Sequence, residues 1–238
     1  MEISKGIEIM DLCLYFKKEK ALVLADIHMG YEEALNKQGI LVPRFQYAET
    51  IKRLEKLLKG FGVKKIIING DLKHEFGKIS ETEWRHTLRL LDFLFEHCRK
   101  IILLKGNHDT ILGPIAKKRG LEVKRNYVIG KTMILHGDKI PKGEKFDSMK
   151  RLVIGHEHPA ISLHKDGRLE KFKCFLKGKW KKKELIVMPS FNLVTEGTDV
   201  LKEKLLSPFL KKDLDAFQVF IVSEGVYGFG TVKDIKLL

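Results

Sequence analysis

Cysteine is scarce in this chain: there are three, Cys13, Cys98 and Cys174, in 238 residues. They are odd in number, far apart and form no Cys-x-x-Cys pair. That pattern excludes a disulfide framework and points to reduced thiols in the cytoplasm. Long apolar runs are missing too. No segment approaches the roughly 20 apolar residues that span a bilayer, so no membrane partner is expected. The N-terminus lacks a basic-then-apolar signal pattern. Linkers, internal repeats and low-complexity segments are likewise absent, so residues 1–238 read as one domain of a length that suits an α/β unit. Negative charge is in short supply, with 31 Asp and Glu against 45 Lys and Arg, a net of +14. A basic balance suits a polyanionic partner such as nucleic acid. Solubility and surface ion pairing explain it equally well. The charged residues are rich in Lys and Glu, the bias reported for thermophile proteins.

What the chain does have is a recurring unit, an apolar run that ends in a polar cluster. Residues 7–16 and 21–25 read as a hairpin with Lys17-Lys18-Glu19-Lys20 as its turn. The second arm runs straight into Asp26-Ile27-His28. Residues 46–59 carry a helical stripe (Ile51, Leu54, Leu57, Leu58) with Gly60 placed to stop it. Lys65–Asn69 reads as a buried strand ending in Gly70-Asp71. Residues 81–97 form a second helix, with Ser80 and Glu83 as a capping box and Trp84, Leu88, Leu91 and Phe95 as its apolar stripe. Ile101–Leu104 then leads to Gly106-Asn107-His108-Asp109, and a short helix over 111–119 stops at Gly120. Met133–Leu135 leads to His136-Gly137-Asp138, Leu152–Ile154 to Gly155-His156-Glu157-His158, and Leu185–Met188 to Pro189-Ser190-Phe191-Asn192. Residues 161–184 read as a Lys-rich, hairpin-like insertion, and 216–222 with 226–232 as closing strands. Strand, polar loop and helix in alternation is the α/β pattern. Clusters that follow strands all fall at one sheet edge, where open α/β sheets bind ligands.

Gathered there, the carboxylates Asp26 and Asp71, the amide Asn107 and the histidines make a dinuclear metal site. Mixed carboxylate and imidazole donors suit Mn²⁺, Fe or Zn²⁺ better than Ca²⁺ or Mg²⁺. Two such ions about 3.5–4 Å apart drive in-line displacement at phosphorus. Each fragment alone is weak, because Gly-Asp after a strand is a common turn. Gly-His-x-His is more specific, since residues two apart in an extended segment face the same way.

In this order the motifs resemble the calcineurin-like metallophosphoesterases over about residues 21–192. The resemblance implies an α/β metallophosphoesterase fold of two packed mixed β-sheets flanked by α-helices, with the dimetal site on strand-end loops. It implies that Asp26, His28 and His158 hold one ion and Asn107, His136 and His156 the other, with Asp71 bridging. Mn²⁺ is the expected metal, with Fe, Zn²⁺ or Ni as alternatives. A water acidified between the ions is expected to attack phosphorus, with His108 protonating the leaving oxygen or stabilising the transition state.

One departure narrows the group. The phosphatase branch has Asp three residues after the bridging Asp, and here that residue is His74. Gly-Asp-Leu-Lys-His with Gly-His-Glu-His-Pro is similar to the ICC-like phosphoesterases, and to the double-strand-break-repair and ligase-associated DNA-repair nucleases. His74 then joins His108 as a catalytic residue; the alternative is a histidine that only caps or orients. A phosphodiesterase acting on nucleic acid is the leading expectation. A small phosphodiester such as a cyclic nucleotide is the rival substrate, and a non-catalytic scaffold is a third reading that the filled ligand positions argue against.

Three further features stay open on sequence alone. Lys171, Lys173, Lys177, Lys179, Lys181, Lys182 and Lys183 interleave with Phe172, Phe175 and Trp180. This is either a surface for single-stranded nucleic acid or a solvated hairpin with its aromatics packed inward. Arg44 either clamps a phosphate or sits on the surface, and Asn192 either serves the site or forms a turn. His86, His97 and His164 fit no ligand pattern.

Overall fold

The computed structural model describes every residue except Lys78, Asp166 and Leu238, and the side chain of Lys165. Its first sheet runs in chain order: β1 (Glu2–Ser4), β2 (Ile7–Met10), β3 (Cys13–Phe16), β4 (Ala21–Leu24), β5 (Lys65–Asn69), β6 (Ile101–Leu104) and β7 (Val123–Lys124). β1 to β4 pair antiparallel and β4 to β7 parallel. Parallel neighbours need crossovers. Here α1 (Tyr31–Lys37) and α2 (Gln46–Leu58) precede β5, α3 (Glu81–His97) precedes β6, and α4 (Leu112–Lys117) precedes β7.

The second sheet holds β8 (Asn126–Ile129), β9 (Thr132–Leu135), β10 (Arg151–Ile154), β11 (Pro159–Lys165), β12 (Arg168–Trp180), β13 (Lys183–Val187) and β14 (Thr198–Asp199). β15 (Gln218–Val222) pairs with β12, and β16 (Val226–Thr231) with β15. β9, β10 and β13 are parallel neighbours. Two short helices, α5 (Glu144–Asp147) and α6 (Val232–Lys236), complete the chain.

The strands alternate faces, and the sheets stack on that alternation. Ile134, Val153, Phe175 and Ile186 point into one core shared with the first sheet and with α2 and α3. Their neighbours Leu135, Leu152, Ile154, Leu176 and Leu185 face a second core, closed by Phe209, Phe217 and Ile235. Ile66, Ile67 and Ile68 are buried, as a central parallel strand requires. The result sets two parallel triplets side by side, β4-β5-β6 and β9-β10-β13, and all six strands lead into one of the polar clusters, five of them into a cluster that holds an expected metal ligand.

Several expectations need correction. Residues 7–16 are two strands rather than one, because Asp11 turns at φ 56°. Ser80 caps α3 by accepting the Glu83 N–H at 3.1 Å. The Glu83 carboxylate, however, turns away to accept the N–H groups of His74 and Glu75. The face α3 buries is Thr87, Leu90, Leu91 and Leu94; Trp84, Leu88 and Phe95 flank it. α2 ends on Lys59, and Gly62, not Gly60, takes the left-handed conformation.

The 161–184 segment does contain a hairpin, β11 with β12, but it is no appendage. β12 pairs with β11, β13 and β15. Phe175 lies between the sheets, and Trp180 packs in the outer core. Lys171, Lys173 and Lys183 are spent on Glu203 and on backbone carbonyls. Of the two readings of this segment, the structure supports aromatics packed inward for Phe175 and Trp180, since apolar alternation drew those rings into the cores. Arg44 pairs with Glu33 at 2.9 Å on the surface.

Candidate metal centre

Backbone pairing continues past the strand ends and ties the clusters together. Asp26 N–H donates to Gly70 O at 3.2 Å, His28 N–H to Asp71 O at 2.8 Å, and Gly155 N–H to His136 O at 2.8 Å. Side chains from distant motifs then interlock. A Cβ at Gly106 would overlap the Asp71 carboxylate, and one at Gly155 would overlap that of Asp26. Those two motifs carry glycine because another motif's carboxylate occupies the space. Asp26, His28, Asp71, His156 and His158 all take positive φ, from 45° to 68°. Non-glycine residues rarely do so, and such strain concentrates at functional sites.

Two donor groups result. Asp26, His28 and His158 bring ligand atoms within 4.8 Å of one another, and so do Asp71, His136 and His156. The Nε2 atoms of His28 and His158 are 3.4 Å apart, and Asp26 Oδ1 is 3.6 Å from His158 Nε2. On the other side, His136 Nε2 lies 2.7 Å from Asn107 Oδ1 and 3.1 Å from His156 Nδ1. Asp71 Oδ2 stands between them, 3.7 Å from His28 Nε2 and 3.4 Å from His136 Nε2. Its other oxygen accepts the His108 N–H at 2.8 Å. All seven residues expected to bind metal are thus brought together.

A model of the calcineurin-like phosphoesterases matches residues 20–217. The chain belongs to that family. Among solved structures, the nuclease MPE of Pseudomonas putida is similar at TM-score 0.65 and 21% identity, covering 92% of each chain. YfcE, a phosphoesterase of E. coli, aligns at TM-score 0.43 and 14% identity over 89% of this chain and 98% of its own. No curated protein matches the chain.

Calcineurin-like phosphoesterases use divalent metals, and this donor set fits them. Asp26 Oδ1 and His136 Nδ1 are buried without a hydrogen-bond partner, which is costly unless a cation or its ligand completes the site. Burial, with the charges of Asp26 and Asp109, pushes the Asp71 carboxyl up to about 9, so nearby positive charge is needed to ionise it at neutral pH. Burial also raises Asp26, but His158 and His136 outweigh it and hold its carboxyl below the ordinary value. Burial and the neighbouring His136 depress His156 to about 4. Burial, then His158, His108 and His74, drive His28 well below the usual range. These imidazoles are neutral near pH 7, the form that binds metal.

His74 and His108 stack at 5.3 Å between centroids. His108 Nδ1 faces the His74 carbonyl, so that nitrogen carries the proton and Nε2 is left towards Asp71 Oδ2, 4.0 Å away. His74 Nδ1 faces His28 Nδ1 at 3.4 Å. His28 with His74 and His108 also brings ligand atoms within 4.8 Å of one another. Asp109 closes its own turn by accepting the Gly106 N–H at 3.0 Å.

Four residues around the centre escaped the motif reading. Lys73 is fully buried, and its ammonium donates to the carbonyls of Glu75 and His108, tying the two histidine loops together. Phe76, 54% exposed, lies on the His108 ring. Lys173, lowered to about 7 by burial, holds the carbonyls of Ser190 and Asn192. Tyr31 meets His74 edge-on. The Lys173 signal was the period-two alternation of a strand, in which a lysine can point at a loop. Asn192, left open by the sequence, is buried at the site cavity. Its Oδ1 accepts the Val194 N–H at 2.8 Å, which leaves Nδ2 as a donor without a partner.

Proposed function

We propose that this calcineurin-like phosphoesterase is a dinuclear-metal phosphodiesterase that cleaves nucleic acid in the cytoplasm. The observation that carries the reading is the place of Asp71 Oδ2, between a His28/His158/Asp26 group and a His136/His156/Asn107 group. A carboxylate so placed would serve both donor groups. Held there, Mn²⁺ or a similar ion supplies Lewis acidity and a nucleophilic water near neutral pH.

The chain's own residues do the rest. His136 would hold its ion through Nε2, beside Asn107 Oδ1 at 2.7 Å. Asn192 Nδ2 donates to a non-bridging phosphate oxygen. Protonated to the imidazolium by solvent, with Nδ1–H kept on the His74 carbonyl, His108 would give its Nε2 proton to the leaving oxygen, and His74 steadies His28 and walls the same side. Phe76 offers a half-exposed aromatic face at the cavity, to which a nucleobase can stack. The net charge of +14 favours a polyanion, and the nuclease fold neighbour agrees with this substrate class.

The test uses protein stripped with chelator and reloaded with Mn²⁺, alongside His108→Ala. Bis-(p-nitrophenyl) phosphate and single-stranded-tailed DNA are the substrates. Wild type should cut both, and the variant should lose both by about 10²–10⁴-fold. Cleavage of the small ester alone would replace nucleic acid with a small phosphodiester as substrate.

A further inference from the structure

A second cavity, of about 550 Å³, opens beside the histidine-walled one. The two meet at Asn107, and His136 lines the second as well. Anything seated in this cleft therefore lies against residues placed at the second ion. The cleft sits where the sheets meet: Lys105 follows β6, Arg125 lies between β7 and β8, and Lys139 follows β9. These three cations line it against one carboxylate, Asp138. Lys139 and Asp138 approach only to 4.0 Å, and among the described residues Lys105 and Arg125 pair with no carboxylate. Cations gathered around a concave surface focus positive potential into it. Ile140, 39% exposed, adds an apolar ledge.

Resting on the nucleic-acid reading above, we infer that this cleft is the subsite for the phosphate next to the scissile one. Lys105 and Arg125 hold that phosphate, Lys139 strengthens the field at the rim, and the ledge at Ile140 takes the attached sugar or base. The substrate class follows. The preferred substrate is an oligonucleotide, which carries a second phosphate, and not a cyclic or singly esterified phosphate, which cannot reach the cleft and the centre together.

The test pairs Lys105→Ala with Arg125→Ala in one protein and reads two quantities. The first is binding of a short fluorescein-labelled oligothymidylate to metal-free protein across a salt series. Affinity should fall about tenfold, and the slope of log K against log salt should flatten by about 0.7, the value for one phosphate contact on a single strand. The second is Mn²⁺-dependent hydrolysis of bis-(p-nitrophenyl) phosphate, which should stay within about twofold of wild type because neither residue belongs to the centre. Lys105→Gln with Arg125→Gln, which keeps more bulk, should reproduce both results. Unchanged oligonucleotide affinity and slope overturn the subsite and leave the nucleic-acid reading standing. Parallel loss of ester hydrolysis in both pairs also overturns it. A wild type that hydrolyses the ester but neither binds nor cuts the oligonucleotide refutes the nucleic-acid reading itself.

Discussion

His74 and His108 are neighbours that meet the metal centre through different atoms, and their substitution should separate two kinds of defect. His108 touches the bridging carboxylate's surroundings through a ring nitrogen with no protein partner. His74 spends its Nδ1 on His28. Removing a proton donor lowers kcat by about 10²–10⁴ without touching the ligands. Removing the partner of a metal-binding histidine weakens metal affinity by about 10–100-fold. His108→Ala should therefore keep both ions by elemental analysis yet turn over slowly at any Mn²⁺ concentration. His74→Ala should lose metal on dialysis and recover most of its rate as Mn²⁺ is raised. A His74→Ala protein that stays slow with both ions bound would move His74 into the chemical step.

At the scale of elements, the loop between β5 and α3 is tied to that helix by one side chain. Glu83, in the first turn of α3, accepts the N–H groups of His74 and Glu75 at 2.8 and 2.9 Å. Burial raises its carboxyl above the ordinary value, so the hydrogen bonds must offset a desolvation cost. Glu83→Ala would leave the Glu75 N–H without its acceptor, while the His74 N–H keeps the Met29 carbonyl at 3.1 Å, and should cost about 1–3 kcal/mol while loosening His74. Glu83→Gln keeps an acceptor and should cost less. Thermal melts measure the first effect, and the Mn²⁺ requirement of each variant measures the second. Equal melting for wild type and Glu83→Ala would mean that α3 does not hold the loop.

This role was hidden in the sequence, where Ser-x-x-Glu reads as a capping box and nothing says that the glutamate reaches eight residues back. What was legible was the strand-end rule. Apolar runs at 21–24, 65–69, 101–104, 132–135 and 151–154 became parallel strands, and their trailing Asp26, Asp71, Asn107, His136 and His156 met. For β12 two readings stay open in the sequence because its lysines compete with the alternation of Phe172, Cys174, Leu176 and Trp180, which all face one core; the reading with the aromatics packed inward is the one the structure supports. Asn192 was equally unreadable, since the donor it leaves free depends on which atom the next turn captures.

For the molecule as a whole, the centre is a place where folding and metal binding share one free energy. Asp71 and Asp109 are nearly inaccessible to solvent, and burial raises both carboxyls, so without cations their ionised forms oppose the folded state. The unfolded chain cannot assemble donors drawn from residues 26 to 158, so ions bind the native state selectively. Selective binding stabilises by about 2.7 kcal/mol for each ion present at a hundred times its dissociation constant. For a chain of this size that is about 5–10 °C in Tm. Protein reloaded with two Mn²⁺ ions should therefore melt about 10–20 °C above its metal-free form, and Asp71→Asn should shrink the gap, since an amide is a weaker bridge between two cations than a carboxylate. The Lys105→Ala/Arg125→Ala protein should keep the full gap, because its substitutions lie outside the donor set. A gap that survives in Asp71→Asn, or is absent from wild type with two ions bound, would place the ions somewhere other than the buried donors that the strand ends bring together.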